Sequence, residues 1–471
     1  MKNLTSLAGK MACLALALFA VVACSDDETP SYTTNTLSAD SELKAILEKM
    51  GYTFNEDGNL LLDDLANNTT TLDLSGTNIS QSALAELSIL PNLTDVNLAN
   101  NGYGDTFDFA NLPAQVTSVD LTGNEIYNYD NLVKVTVEEN GDETVENLRT
   151  ITKLYLPETA KNNIAQLMRF YRQNKDAIDD GTMDVKMANA SGTLETYNTL
   201  REVPDETLRA YLKEQFADLF DGDKINIANY ILDVKQKINP IRITSNVKDF
   251  DGIQYVVQNP YWQGASIAIS AQQIDTQIPA LNLSNYVNTI TLLNVSVEEI
   301  NLPEKSILRY IWLANVSNLR TIDLSKSSVF GQRTAEEELD ATVGSAIIVY
   351  DCADLEDIIL PEKESLRINY LIVECLPKLR TFELSKFIQV NNLNIGDLAD
   401  SYNLVYPNLQ EFDETENEAT MFNISENSYQ KYNAETDAFI KKYYKASPSR
   451  LVDYGYLYSS NNDEYDWADD Y

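Results

Sequence analysis

Leu72-Asp73-Leu74-Ser75-Gly76-Thr77-Asn78-Ile79, Leu93-Thr94-Asp95-Val96-Asn97-Leu98-Ala99-Asn100-Asn101 and Val116-Thr117-Ser118-Val119-Asp120-Leu121-Thr122-Gly123-Asn124 are three versions of one pattern. Their second leucines fall at 74, 98 and 121, so the pattern returns after 24 and then 23 residues. A fixed period of this length is the mark of stacked structural units, none of which can bury its apolar face alone. Within each unit, apolar residues at alternating positions predict a short strand with one buried face. Asn101 and Asn124 stand at the turn that follows, where a side-chain amide can bond the backbone of the next coil; Thr77 takes that place in the first unit. Leu154-Tyr155-Leu156 predicts a fourth strand after a longer excursion.

A second block has a tighter beat. Apolar-x-apolar pairs end at Leu302, Leu313 and Leu324, then at Val349, Leu360, Val373, Leu384 and Ile395, mostly 11 residues apart. Two strands per repeat are expected. The stretch from Leu302-Pro303-Glu304-Lys305-Ser306 to Leu324-Ser325 compares well with that from Leu360-Pro361-Glu362-Lys363-Glu364-Ser365 to Leu384-Ser385. Residues 326–345 read as an insertion that interrupts the ladder.

The units of the first block resemble the leucine-rich repeat, L-x-x-L-x-L-x-x-N-x-L, and the second block resembles the BspA-type repeats of bacterial surface proteins. The resemblance covers about residues 40–410 and implies an α/β repeat solenoid: two leucine-rich-repeat blocks with helical caps and short stacked strands. Its implied divisions are an N-terminal cap at 38–66, a first block at 67–195, a helical lead-in at 196–280, a second block at 281–412 and a Tyr-rich acidic cap and tail at 413–471. Leu43, Ile46, Leu47 and Met50 predict the first capping helix, with Gly51 as its stop. Leu208, Tyr211, Leu212, Phe216 and Leu219 predict another, and Ile164, Leu167, Met168 and Tyr171 a third apolar stripe, read as core packing.

In such repeats the non-leucine strand positions form the recognition surface. Here they are Thr71, Asp73, Asp95, Asn97, Ser118, Asp120, Lys153 and Tyr155 in the first block, and Thr321, Asp323, Asp357, Ile359, Thr381, Glu383, Asn392 and Asn394 in the second. Asp73, Asp95, Asn97, Asp120, Tyr155, Asp323, Asp357, Glu383 and Asn394 are the candidate ligand face. Most are small or acidic, which suits a partner with cationic or hydrogen-bonding groups.

The N-terminus carries a different signal. Lys2 and Lys10 precede an apolar run from Met11 to Ala23, too short for a membrane span, and Val21-Val22-Ala23-Cys24 closes it. This resembles a bacterial lipoprotein leader, residues 1–23, which implies cleavage before Cys24 and acylation of its thiol. Ser25-Asp26-Asp27-Glu28, in an acidic linker at 24–37, resembles the export tag of Bacteroidota surface lipoproteins. The location implied is the outer membrane, lipid-anchored and exposed at the cell surface, with the anchor as the only membrane contact.

Composition narrows the chemistry. The chain has 35 basic and 72 acidic residues, a net charge of −37, so it lacks the basic footprint that nucleic-acid binding requires. Histidine is absent from all 471 positions, which excludes serine–histidine and cysteine–histidine catalysis and removes the commonest metal ligand. A carboxylate-only glycosidase needs just two acidic groups, but no pair can be nominated among so many. No cofactor or metal is expected. Asp221-Gly222-Asp223 reads as an acidic turn rather than a calcium loop, because Lys224 intrudes on the ligand series. Cys352 and Cys375, the cysteines left after the leader and the anchor, are expected as buried free thiols, with a disulfide between them as the lesser alternative.

The last stretch is rich in tyrosine, with Tyr454, Tyr456 and Tyr458 alternating. Those rings could stack on sugars, but a terminal strand covering the end of the repeats is the favoured reading. The expected function is a non-enzymatic surface-anchored protein that binds a protein of a host, a neighbouring cell or the outer membrane; a glycan-binding accessory lipoprotein of a polysaccharide-uptake system is the alternative.

Overall fold

The computed structural model describes residues 30–137, 143–332, 344–363, 365–410, 421–443 and 456–460. Two long sheets organise them. The first holds six strands; in sequence order these are Thr71–Asp73, Asp95–Asn97, Ser118–Asp120, Lys153–Leu156, Asp184–Ala188 and Leu194–Thr196. Its first five are parallel and the sixth turns back antiparallel. The second holds nine: Ile241–Ile243, Ser266–Ser270, Thr289–Leu293, Tyr310–Ala314, Ala346–Tyr350, Leu366–Leu376, Phe387–Leu398, Met421–Ser425 and, again antiparallel, Tyr456–Ser460.

The expected α/β repeat solenoid of two leucine-rich-repeat blocks is corrected by this architecture. The chain is a mixed α/β fold dominated by strands, which are shared among two long sheets, one of three strands and six of two strands among the described residues, with few helices. Antiparallel hairpins break any uniform coil, as where Val133–Val137 pairs with Glu143–Asn147 and where Phe220–Asp221, Lys224–Asn226 and Leu200–Arg201 combine. The physical reason lies in the return segments. Eleven residues between apolar pairs leave no room for an average helix of about 11–12 residues beside a strand. The returns of the second block, where that beat holds, are instead small parallel sheets, such as Thr321–Asp323 on Asp357–Ile359, and those of the first block are 3₁₀ segments, such as Gln81–Ile89 and Phe109–Asn111.

The turn asparagines do bond across neighbouring strands. Asn124 Nδ2 donates to Leu98 O (3.0 Å) and Leu121 O (2.9 Å), and its Oδ1 accepts from the backbone N–H groups of Asn101 (2.9 Å) and Tyr103 (3.1 Å). Asn101 repeats the donation to Leu74 O and Leu98 O, each at 3.0 Å, and Thr77 closes the series on Leu74 O at 2.8 Å. These amides satisfy carbonyls that would otherwise be buried without a partner.

Two hydrophobic cores result, one under each long sheet. The helix Ala165–Asp179 lies between them: Leu167, Phe170, Tyr171 and Ile178 pack into the first core, Met168 and the preceding Ile164 into the second. Smaller helices sit where the apolar stripes placed them. Glu42–Lys49 is capped by Ser41, whose oxygen accepts from Lys44 N, and Glu206–Gln215 by Asp205. No helix of the described residues is long and apolar enough to cross a membrane.

Candidate functional site

Register decides which side chains share a surface. In the first sheet Thr71, Asp95, Ser118, Lys153 and Asp184 form one row across the strands, and Asp73, Asn97, Asp120, Tyr155 and Lys186 the next. All five candidates of the first block are therefore brought together on one face, opposite the buried row of Leu72, Val96, Val119, Leu154 and Val185. Three of them have local work. Asp73, Asn97 and Asp120 each accept from the backbone N–H two residues on, of Ser75 (3.0 Å), Ala99 (3.0 Å) and Thr122 (2.9 Å), closing the same turn three times.

The other end of this face is a balanced charge cluster. Lys153 Nζ meets Asp95 Oδ2 at 2.6 Å, the Tyr155 hydroxyl donates to Asp184 Oδ2 at 2.6 Å, and Lys186 donates to the same oxygen at 3.1 Å. The two ammonium groups lie 5.4 and 5.1 Å from the Tyr155 ring centre. The hydrogen bond to Asp184 raises the Tyr155 hydroxyl pKa. Burial would raise that of Asp184, but the bonds from Tyr155 and Lys186 outweigh it and hold the carboxylate low.

In the second block the 11-residue beat alternates between the nine-stranded sheet and small two-stranded ones. Asp323 and Asp357 lie on the small sheet of Thr321–Asp323 and Asp357–Ile359, which Thr381 joins by one bridge, whereas Asn394 lies in the nine-stranded sheet. The candidates of this block are thus not one surface. Asp323 closes its own turn on Ser325 N (2.9 Å), Arg380 approaches Asp357 at 3.8 Å, and Lys386 pairs with Glu383 at 3.3 Å. A polar groove of about 550 Å³ runs beside Asp323, between Glu298, Glu299, Asn318 and Arg320.

Reading by apolar-x-apolar pairs missed the solvent side of the nine-stranded sheet. Ile311, Leu313, Ile347, Val349, Leu371 and Val373 point inward and are buried. The alternate positions point outward: Tyr310 and Trp312, Ile348 and Tyr350, Tyr370 and Ile372 on three adjacent strands, with Leu293 before them and Asn392 and Asn394 after. Tyr370 is 42% exposed. Ala346, in register between Tyr310 and Tyr370, is fully buried, and the Tyr310 hydroxyl pKa is raised by burial and then by Tyr370. Trp312 Nε1 and Asn394 Oδ1 share the central row with Ile348 and Ile372, and both are shielded without a hydrogen-bond partner among the described residues. Among the positions in register with Tyr310, Trp312 and Ala314, from Ser266–Ser270 across to Asn392, Asn394 and Gly396, Glu374 alone carries charge; Arg367 lies earlier in the strand Leu366–Leu376 and Arg242 beyond the far edge. A sequence signal existed: aromatic residues at both phases of the alternation in Tyr310-Ile311-Trp312-Leu313.

A line of turns closes this face on one side. Asn294, Asn315, Asp351, Cys375 and Asp397 each come directly after the aligned positions Leu293, Ala314, Tyr350, Glu374 and Gly396, and all five have positive φ, between 47° and 60°. Asp351 and Asp397 are exposed there, and Glu374 stands beside them, its pKa raised by burial and then by those two carboxylates.

Asp221 and Asp223 flank the turn at Gly222 and are occupied by Asn226 (2.6 Å) and Lys213 (3.0 Å). Cys352 and Cys375 are free thiols, the first buried as expected and the second only half-buried. Residues 1–23, expected as a leader, Cys24 and Ser25, Asp26, Asp27 and Glu28 lie outside the described residues, as do Tyr454 and most of the expected insertion at 326–345. Among the described residues no group of three or more Cys, Asp or Glu could hold a metal ion. No family model, curated protein or solved structure matches the chain.

Proposed function

We propose that this chain is a lipid-anchored binding protein of the outer membrane, exposed at the cell surface, which holds a macromolecular partner on the solvent faces of its parallel sheets. The observation that carries the reading is the outward face of Tyr310, Trp312, Ile348, Tyr350, Tyr370 and Ile372. In a chain with 72 acidic and 35 basic residues, a surface with almost no charge and several rings has the composition of an interface centre. The anchor is argued from Val21-Val22-Ala23-Cys24 and the surface location from Ser25-Asp26-Asp27-Glu28, through their resemblance to Bacteroidota lipoproteins. Two or more acyl chains on Cys24, each buried CH₂ contributing ~0.8 kcal/mol, would hold the protein stably.

Binding without catalysis agrees with a face built from rings, aliphatic groups and paired charges. The glycan reading is supported by one observation, the rings of Tyr310, Trp312, Tyr350 and Tyr370 on one face of a sheet, since aromatic faces stack on sugars.

Protease shaving of intact cells tests the placement, comparing the native protein with a variant lacking residues 25–28. Cleavage of the native protein alone is the expected result. Protection of both proteins would put the chain on the periplasmic side and remove the surface reading.

A further inference from the structure

The face of the nine-stranded sheet has three properties that together narrow its occupant. Its centre is aliphatic as well as aromatic: Leu293, Ile348 and Ile372 alternate with Tyr310, Trp312, Tyr350 and Tyr370 in adjacent rows. A sugar chain gains from rings and hydrogen-bonding groups but little from isoleucine, whereas a protein segment gains from both. Its size suits a protein segment. Five spacings of about 4.8 Å separate the six strands from Ser266–Ser270 to Phe387–Leu398, and five residues of about 3.3 Å run along each, giving roughly 24 by 16 Å. That plane is about half of the ~800 Å² per partner of a standard interface, the scale of one segment rather than a whole domain.

The third property is the sign of its border. Along the line of turns, exposed Asp351 and Asp397 flank Glu374, so one edge of the neutral centre is acidic. Burial of an apolar partner would bring its flanks against these carboxylates. A second copy of this chain would bring another net charge of −37 against this one. Cationic flanks are attracted instead.

We infer that the outward face of the nine-stranded sheet binds an apolar segment of a different protein whose flanks carry Lys or Arg, with Tyr310, Trp312, Ile348, Tyr370 and Ile372 under the apolar part and Asp351, Glu374 and Asp397 under the basic flank. This rests on the proposed binding role and adds the chemistry of the partner. Tyr370 and Ile348 are the residues to change, because neither points into the core. Asp351→Asn and Asp397→Asn keep residues that tolerate positive φ while removing charge.

The test uses the full chain and three synthetic peptide sets with the same apolar core, flanked by Lys, by Ser or by Glu, together with a panel of neutral oligosaccharides. The Lys-flanked set is expected to bind, at least tenfold more tightly than the Glu-flanked set, and more weakly as salt rises. Tyr370→Ser and Ile348→Ser should each weaken it tenfold with the unfolding midpoint unchanged. The double Asp351→Asn, Asp397→Asn variant should lose the preference for Lys over Ser. Equal binding of all sets, binding of none, or indifference to Tyr370→Ser overturns the inference. So does retention of an oligosaccharide that Tyr370→Ser abolishes, which makes the face a glycan platform, or self-association in sedimentation that Tyr370→Ser abolishes. Cell shaving reports separately on where the protein sits, so failure of the peptide test leaves that part of the functional reading standing.

Discussion

Arg172 Nη1 donates to the Tyr261 hydroxyl at 2.5 Å, joining the helix under the first sheet to the lead-in of the second. The same guanidinium donates through Nε to Ala228 O at 2.8 Å, and again through Nη2, and stacks on Tyr230 with 3.7 Å from Cζ to the ring centre. Glu143 completes the junction, accepting from both Arg169 nitrogens (3.1 and 2.5 Å) and from the Tyr261 hydroxyl (3.1 Å). With Met168 in one core and Leu167 in the other, the helix couples the two sheets by packing and by charge-assisted bonds at once.

Removing the guanidinium should therefore loosen the coupling. Arg172→Ala deletes the donors to Ala228 O and Tyr261 and the ring contact, at a cost of about 2–3 kcal/mol. Chemical denaturation followed by tryptophan fluorescence and circular dichroism is expected to show one transition for the native chain and two for the variant. Coincident, unshifted curves in the variant would show that packing alone joins the sheets.

The junction should also weaken in acid. Burial would raise the pKa of Glu143, but the bonds and charge of Arg169, the Tyr261 hydroxyl and the charge of Arg172 outweigh it and hold the carboxyl below its ordinary 4.5. A carboxylate depressed by folding contributes stability that is complete above its unfolded pKa and is lost as pH falls through its folded one. The native chain should lose stability below about pH 4.5, and Glu143→Gln should flatten that part of the profile while lowering stability at pH 7. A denaturation midpoint measured from pH 7 to pH 3 checks both arms; parallel profiles would put the acid response elsewhere.

What could be read beforehand follows from how strongly a residue's chemistry restricts its place. The turn role of Asn101 and Asn124 was legible because few side chains can satisfy buried carbonyls from a tight turn, and their spacing of 23 repeats that of the leucines. The strands at Leu74, Leu98 and Leu121 were legible for the same reason. The architecture was not, because an 11-residue beat fixes where strands lie but not which sheet each joins, and its alternate members went to separate sheets. The outward rings were hidden by a related ambiguity. In Tyr310-Ile311-Trp312-Leu313 both phases are apolar, so period two shows that the phases oppose each other without showing which is inside. The acidic candidates were legible as a row, whereas their turn-closing bonds, set by backbone conformation, were not.

Asn124 offers the sharpest test of the turn series. It is 4% exposed, and its amide serves two backbone donors and two carbonyls at or below 3.1 Å. Asn124→Ala leaves buried backbone groups without partners and should cost about 2–3 kcal/mol, visible as a lower urea midpoint. Asn124→Asp should do no better, since it keeps the acceptor, loses the donor and buries a charge. Rescue by Asp would mean that only the bonds to Asn101 N and Tyr103 N matter.

Cys375 is the one residue in the line of positive-φ turns whose side chain does not suit that conformation, with φ 52° where its equivalents are Asn294, Asn315, Asp351 and Asp397. A residue other than glycine, asparagine or aspartate pays for the left-handed region, and asparagine is the residue that best tolerates it with a side chain present. Cys375→Asn should therefore stabilise the chain by about 0.5–1 kcal/mol, while Cys375→Ser, equally small but no better suited, should not. The new amide would also stand next to Asp351 as Asn315 Nδ2 stands next to Asn294 Oδ1, at 3.1 Å. Urea midpoints of the two variants separate backbone relief from loss of the thiol: a gain shared by Ser and Asn would trace to removing sulfur, and a gain confined to Asn would trace to the turn.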